Sequence, residues 1–240
     1  MGNTTAMGRL EGKVGIVTGG SRGIGRGIAE ALAREGAAVT ICGRSESDVR
    51  STVAALKAKG LNVEGVAADV SREEDVNHLV NSVLLRSERV DILVNNAGLG
   101  TFKPVAEMSV EEFDTMWSVN MRGVFLATRA VLPSMIKENG GEIVNIASLA
   151  GKNTFKGGAG YAATKWALRG FSGCLMLEVR DHNIRVVTIC PGSVDTEFSS
   201  GGKRGENIPR PSDVADAVLF AVTAPGRAMY SEIDLRPTRP

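Results

Sequence analysis

Short apolar runs alternate with longer stretches of helical pattern along almost the whole chain. The apolar runs are rich in Val and Ile, which favour β-strands. The predicted strands cover residues 13–18, 38–42, 62–67, 91–95, 142–147, 184–190 and 229–235. The predicted helices cover residues 23–35, 46–59, about 71–88, about 109–137, 161–181 and about 212–223. This regular strand–helix alternation predicts an α/β protein.

Three of the predicted helices carry a start signal. Ser71 with Glu74, and Ser109 with Glu112, have the spacing of a capping box. Ser212 is predicted to cap the last helix.

Strands such as 143–146 and 185–189 are apolar along most of their length, as expected when helices cover both faces of a parallel sheet. Parallel strands need right-handed crossover connections. The chain contains no internal repeat or linker, so we predict a single domain over residues 9–240, preceded by a disordered tail at residues 1–8.

Composition and charge exclude several classes of protein. Lys and Arg total 28 against 27 Asp and Glu, so the net charge of +1 gives no field that would attract nucleic acid or an anionic membrane. No apolar run reaches the roughly 18 residues of a membrane-spanning helix. The three cysteines, an odd number without a C-x-x-C pair, suggest neither disulfides nor a metal site, and they fit a cytoplasmic protein.

Candidate acid/base chemistry lies at Tyr161 and Lys165, with Ser148 thirteen residues before the tyrosine. Side chains four residues apart share one face of a helix, about 6 Å apart at Cβ. A neighbouring ammonium favours the phenolate, so we expect a lowered Tyr161 pKa. Such a hydroxyl can donate or accept a proton near neutral pH.

A glycine-rich turn follows the first predicted strand and opens a helix. The glycines let the backbone come close to a pyrophosphate, and the N-terminus of the helix supplies free amides that can bind it. The turn could also be a plain tight connection, because its G-x-x-x-G-x-G spacing differs from the G-x-G-x-x-G of many dinucleotide folds. The candidate cofactor residues here are Gly19, Ser21, Arg22, Gly23, Ile24 and Gly25.

The end of the second strand indicates which dinucleotide is preferred. A site for NAD usually places Asp or Glu there, to hold the ribose hydroxyl. This chain has Gly43 and Arg44 instead, and Arg22 lies in the glycine turn. Guanidinium groups suit a 2′-phosphate, so NADP(H) is favoured and NAD(H) remains possible. Alternatively, both arginines are solvated loop charges.

Taken together, these motifs resemble those of the short-chain dehydrogenase/reductase family over residues 10–235. The ordered set comprises the glycine turn, Asp69-Val70, Asn95-Asn96-Ala97-Gly98, Asn120, Ser148, Tyr161-x-x-x-Lys165 and Pro191-Gly192. Within that family, the sequence most resembles the 3-oxoacyl-carrier-protein reductase branch. The resemblance implies a Rossmann-type doubly wound sheet of about seven parallel strands in the order 3-2-1-4-5-6-7.

The resemblance also implies roles for individual residues. Tyr161 would be the general acid or base, Ser148 would orient the substrate oxygen, and Lys165 would lower the tyrosine pKa and bind the nicotinamide ribose. Asn120, in a distorted helix, would hold a water that links Lys165 to solvent. The remaining implied cofactor residues are Asp69 and Val70 at the adenine, Asn96, Ala97 and Gly98 at the nucleoside, and Pro191, Gly192, Val194 and Thr196 at the nicotinamide.

Three further expectations follow from the resemblance. The glycine-rich stretch at about 196–210 would be a substrate lid, although a disordered loop fits equally. A homodimer or homotetramer would form through the two long helices, at positions that include Ala127, Ala130, Val131, Ala167, Phe171 and Leu175. Carrier-protein docking is in doubt, because Pro133 and Leu177 stand where that branch presents basic residues; Arg129 and Arg169 lie near by.

The leading hypothesis is therefore an NADP-dependent oxidoreductase that interconverts a carbonyl and a secondary alcohol, with a 3-oxoacyl group as one candidate substrate. Two alternatives remain: an NAD-dependent alcohol dehydrogenase, or a non-enzymatic NADP-sensing or scaffold protein on the same fold.

Overall fold

A single seven-stranded parallel sheet organises the chain. The computed structural model describes residues 8–198 and 207–238. The strands are β1 (Val14–Val17), β2 (Ala38–Gly43), β3 (Val63–Ala67), β4 (Ile92–Asn95), β5 (Gly141–Ile146), β6 (Ile184–Pro191) and β7 (Glu232–Leu235). Their order is β3-β2-β1-β4-β5-β6-β7, and every pairing is parallel, which confirms the predicted fold.

Seven α-helices connect the strands and cover both faces of the sheet. They are α1 (Gly23–Arg34), α2 (Glu46–Lys57), α3 (Glu73–Ser87), α4 (Val110–Trp117), α5 (Gly123–Lys137), α6 (Ala159–Val179) and α7 (Pro211–Val222) within the described residues. Helices α1, α2 and α7 bury their apolar sides on one face of the sheet. Helices α3, α5 and α6 do so on the other. Neighbouring strand residues such as Ile16 and Val17 face opposite layers, as the two-residue period of a strand requires.

Two predicted helix starts are wrong. The Ser71 hydroxyl donates to the Asp69 carboxylate instead of capping, and α3 begins two residues later. Ser212 lies inside the first turn of α7, where the Asp213 carboxylate accepts from the Arg210 amide. The capping box of Ser109 and Glu112 is confirmed by both of its hydrogen bonds.

The predicted helix at 109–137 is interrupted. A π-helical segment (Ser118–Arg122) separates α4 from α5, and the Gly123 amide reaches back to the Ser118 carbonyl. Such insertions re-aim the residues they contain and recur at functional sites.

Three of the six predicted subunit-contact positions are buried inside the monomer. Ala127, Val131 and Leu175 are buried in the core beneath α5 and α6. The large apolar residues that these helices expose are instead Phe125, Ile136, Trp166 and Leu177. A helix places different residues on its inner and outer sides, and small or apolar character alone does not distinguish them.

The amino edge of the sheet carries a dense network of paired charges. Buried Asp91 accepts from Arg89, from Lys13 at 3.2 Å and from the Val14 amide at 2.9 Å. Arg185 pairs with Glu142 and also donates to carbonyls of the chain after α7. These residues surround a cavity of about 1050 Å³. Within the described residues, no helix is long and apolar enough to cross a membrane.

Candidate active site

A second cavity, of about 820 Å³, opens at the carboxyl edge of the sheet. Loops that follow successive parallel strands meet at this edge, where ligands bind in open α/β sheets. Every predicted site residue lines the cavity except Asn120, which lies behind it. The lining includes Gly19, Ser21, Arg22, Gly23, Ile24, Gly25, Arg44, Asp69, Val70, Asn96, Ala97, Gly98, Ser148, Tyr161, Lys165, Pro191, Gly192, Val194 and Thr196.

The glycine turn has the geometry of a pyrophosphate cradle. Gly19 and Gly23 have φ angles of 62° and 51°, which residues with a side chain rarely adopt. A Cβ on Gly25 would lie 2.3 Å from the Gly19 carbonyl oxygen. Helix α1 has no side-chain cap and no acidic residue in its first turn. Its first amides can therefore bind an anion, so the residues present fit a dinucleotide.

Thr18 and Asn96 hold this turn against the end of β4. The Thr18 hydroxyl accepts from the amides of Asn96 and Ala97, both at 3.0 Å. The Asn96 amide group donates to the carbonyls of Thr18 and Gly19. The side chain of Asn96 thus braces the turn, and Thr18 is a positioning residue that the sequence analysis missed.

At the adenosine end, the side chains are exposed and charged. Arg44 follows β2 at the cavity mouth. Arg22 lines the same cavity and pairs with Glu197 at 3.6 Å. Asp69 borders the same end, with one carboxylate oxygen bonded to the amide and hydroxyl of Ser71. The end of the second strand holds no carboxylate, as the sequence indicated.

At the opposite end, Tyr161 and Lys165 project from the first turns of α6 below Ser148. The Ser148 hydroxyl lies beside the Tyr161 hydroxyl and acts to lower its pKa. The Lys165 ammonium donates to the Ile146 carbonyl at 2.9 Å and lies 5.8 Å from the centre of the Tyr161 ring. The structure therefore brings the three predicted residues together.

The expected lowering of the Tyr161 pKa is wrong for this arrangement. Burial raises the pKa of Tyr161 and outweighs the opposing effect of the Ser148 hydroxyl. Burial also lowers the pKa of Lys165 to about 8. Desolvation acts on both members of the pair, because each loses the water that would stabilise its charged form.

Asn120 connects the catalytic helix to the loop after β4. Its side chain accepts from the Leu99 amide and donates to the Leu99 carbonyl, both at 2.9 Å. It also donates to Thr164 at 3.0 Å, and Thr164 in turn donates to the Tyr161 carbonyl. The predicted distortion of the helix is present as the π-helical segment. The side chain itself braces the site, a role that the sequence analysis did not foresee.

An ion-pair network supports the wall that carries Ser148 and Gly192. Lys152 pairs with Glu232 and Asp234, and Arg169 pairs with Glu232 and donates to the Gly151 carbonyl at 2.8 Å. The Cys190 thiol lies within 4.8 Å of both carboxylates. Because these carboxylates already have cationic partners and burial raises the Cys190 pKa to about 11, the cluster has the character of an ion-pair network.

Three phenylalanines form the outer wall of the catalytic end, and the sequence analysis did not single them out. Phe102, Phe155 and Phe198 come from the loops after β4, β5 and β6. Their common position at the carboxyl ends of parallel strands was a usable signal. Of the predicted lid, residues 196–198 and 207–210 are described, and residues 199–206 lie outside the described part of the chain.

The fold and this constellation define a nucleotide-dependent oxidoreductase. The model of the short-chain dehydrogenase family matches residues 13–207. The chain belongs to that family, as the ordered motifs predicted, and is an NAD(P)-dependent oxidoreductase.

Three solved structures are similar over nearly the whole chain. A metagenomic short-chain oxidoreductase in complex with NADP is 37% identical, with a TM-score of 0.85, over 96% of this chain and 99% of that one. An alcohol dehydrogenase from the archaeon Thermococcus sibiricus, complexed with 5-hydroxy-NADP, is 37% identical with a TM-score of 0.88, over 95% and 98%. A 3-ketoacyl-(acyl-carrier-protein) reductase from Brucella melitensis, complexed with NADH, is 31% identical with a TM-score of 0.88, over 96% and 99%.

Proposed function

We propose that the protein is an NADP-dependent oxidoreductase that interconverts a ketone and a secondary alcohol. The observation that carries the proposal is the grouping of Ser148 and Tyr161 with a desolvated Lys165 in one cavity. This group lies at one end of a cavity whose other end is a backbone cradle for a pyrophosphate.

The mechanism assigns a separate task to each side chain. A bound reduced nicotinamide supplies the hydride that the carbonyl carbon accepts. Tyr161 donates its proton to the developing alkoxide, and Ser148 donates a hydrogen bond to the same oxygen. Lys165, as an ammonium, stabilises the phenolate left on Tyr161 and would bind the ribose of the cofactor. Asn120 is a positioning residue, because it acts through the backbone of α6.

The proposed preference for NADP(H) depends on Arg22 and Arg44 at the adenosine end. Both guanidinium groups are exposed at the cavity, and neither β2 nor its following turn supplies a carboxylate for the ribose hydroxyl. Two of the similar structures hold NADP or its 5-hydroxy derivative, and the third holds NADH. NAD(H) therefore remains the second cofactor to test.

A ketone panel assayed with both reduced cofactors tests the proposal. We expect NADPH oxidation with at least one ketone, and the reverse reaction with the matching alcohol. NADPH binding without turnover on a broad panel would instead favour a non-enzymatic NADP-sensing role.

A 3-oxoacyl thioester is the second candidate substrate, favoured by the likeness to the Brucella reductase. Arg129 and Arg169, the basic residues near the expected docking positions, are already paired with Glu73 and Glu232. We therefore expect no preference for a carrier-bound 3-oxoacyl group over the same group on a small thiol. A large preference for the carrier-bound form would assign the protein to that branch.

We further propose a cytoplasmic homodimer or homotetramer. Exposed Phe125 and Trp166 lie on the two long helices, where a second copy would cover them. Sedimentation of the Trp166→Glu variant beside the native protein tests this assembly. We expect the variant to sediment as a smaller species than the native protein. Equal sedimentation of the two proteins would argue that another surface forms the contact.

A further inference from the structure

The cavity contains an aromatic wall that the proposed chemistry does not use. The wall consists of Phe102, Phe155 and Phe198, three of the seven phenylalanines in the chain. The ring of Phe102 meets the Tyr161 ring edge-on, with centroids 5.3 Å apart. Phe198 lies 6.0 Å from the same ring, and Phe155 lies 5.9 Å from Phe102. These distances are typical of interacting aromatic rings.

The backbone provides room for these rings. A Cβ on Gly100 would come within 2.9 Å of Phe102 and 3.1 Å of both Phe198 and Tyr161. A Cβ on Gly158, just before α6, would lie 2.4 Å from the ring of Phe155. Each phenylalanine is therefore seated against a glycine or a neighbouring ring.

The packing of the aromatic wall is incomplete. Phe102, Phe155 and Phe198 are 48%, 46% and 46% exposed, although they line a concave site. Removing such apolar surface from water is favourable. An apolar group placed beside Tyr161 would complete the packing of all three rings.

The described part of the lining carries few charged residues, and the one next to the aromatic wall in the chain is Glu197, an anion. Besides Lys165, buried beneath the tyrosine, the charged residues of the lining are Arg22, Arg44, Asp69 and Glu197. Glu197 pairs with Arg22 at the cofactor side. The described lining thus supplies no cation beside the aromatic wall for a carboxylate or phosphate on the substrate.

We infer that the substrate is an uncharged ketone whose carbonyl carries a ring-bearing apolar group. The ring packs against the aromatic wall while the carbonyl oxygen faces Ser148 and Tyr161. This inference rests on the proposed function. In the reaction, the carbonyl carbon gains a hydride and its oxygen a proton, and NADPH becomes NADP⁺.

Four methyl ketones test the ring requirement: phenylacetone, cyclohexylacetone, the straight-chain methyl ketone of equal carbon number, and butanone. The native enzyme is expected to reduce phenylacetone with kcat/KM about tenfold above the straight-chain ketone, because aromatic pairs contribute beyond area burial and a ring has fewer torsions to order. Cyclohexylacetone separates ring shape from aromatic contact and should lie between them. Equal or higher kcat/KM for the straight-chain ketone, or for a keto acid, would overturn the inference.

Phe102→Ala is expected to lower kcat/KM for phenylacetone about tenfold more than kcat/KM for butanone, since only phenylacetone carries a ring that uses the lost contact. Phe102→Leu keeps most of the volume and should recover part of the loss. The matched control is Phe220→Ala. The Phe220 ring packs against the Tyr230 ring outside the cavity, with ring centroids 4.4 Å apart. Equal losses of kcat/KM on both ketones in Phe102→Ala would also refute the inference.

The native enzyme separates this inference from the proposed function. If it reduces butanone without preferring ring ketones, the inference alone fails. If it reduces no ketone, the proposed function fails with it.

Discussion

The two edges of the sheet both hold buried ionisable groups beside a cavity, yet they differ in how those groups are partnered. At the amino edge, Asp91 accepts from Arg89, Lys13 and a backbone amide. At the carboxyl edge, Lys165 has one carbonyl partner and no carboxylate among the hydrogen bonds and ion pairs of the described residues. The two cavities are of similar size, about 820 Å³ at the carboxyl edge and about 1050 Å³ at the amino edge.

The pKa values record this difference. Burial alone would raise the pKa of Asp91, but the hydrogen bonds from Arg89 and Val14 and the Lys13 charge together lower it. For Lys165, burial dominates and lowers the pKa to about 8. The partners of a buried charge offset its desolvation, so that removing the charge or a partner destabilises the fold. A buried charge with few partners has a shifted pKa, which is typical of groups that take part in chemistry. Cavity size alone does not identify a site.

Replacement of Tyr161 by Phe is expected to have the largest effect. The variant loses the proton donor, and kcat/KM should fall by roughly 10³-fold or more. NADPH affinity, measured by fluorescence titration, should stay within about threefold, since the ring is kept. Turnover close to that of the native enzyme would exclude Tyr161 as the donor.

Asp91→Asn tests the other edge. Removing the charge weakens the hydrogen bonds from Arg89 and Lys13. Both cations are partly exposed and Arg89 keeps Glu138 as a partner, so we expect a loss of about 1–2 kcal/mol. Denaturant unfolding should show this loss, while kcat/KM per folded molecule stays near the native value. Asp114→Asn, at an exposed position on α4, is the control and should leave both unchanged. A stable Asp91→Asn variant with impaired turnover would reverse the roles of the two edges.

Arg44→Ala should weaken NADPH binding by about tenfold, because a charge-assisted pair to the 2′-phosphate is lost. NADH binding should be unaffected. Parallel titrations with both cofactors measure the difference. Equal weakening of both would assign Arg44 to the ribose or adenine instead.

The smallest expected effect is the pH dependence of ketone reduction near the Lys165 pKa of about 8. Lys165 is protonated below that value and stabilises the Tyr161 phenolate, so kcat/KM should be level there and decline as pH rises through it. A profile that increases with pH through the same range would contradict the role of the ammonium.

The parallel sheet, the glycine turn and the shared helix face of Tyr161 and Lys165 could be predicted from local pattern. The order of the strands and the place of Ser148 beside that pair were implied by the family resemblance. The failures have distinct causes. The Ser71 hydroxyl donates to the Asp69 carboxylate instead of capping α3, because the carboxylate and the helix N-terminus compete for the same hydroxyl. The Tyr161 pKa depends on burial, which spacing does not reveal. Thr18 and Asn120 act through contacts between distant segments.

The most direct test of the account measures turnover and stability together in Tyr161→Phe and Asp91→Asn. We predict a crossed result: Tyr161→Phe loses turnover and keeps its unfolding free energy within about 1 kcal/mol, the value of one hydrogen bond. Asp91→Asn should lose stability and keep its turnover per folded molecule. Retained turnover in Tyr161→Phe, or parallel loss of both properties in both variants, would contradict the assignment of chemistry to the carboxyl edge.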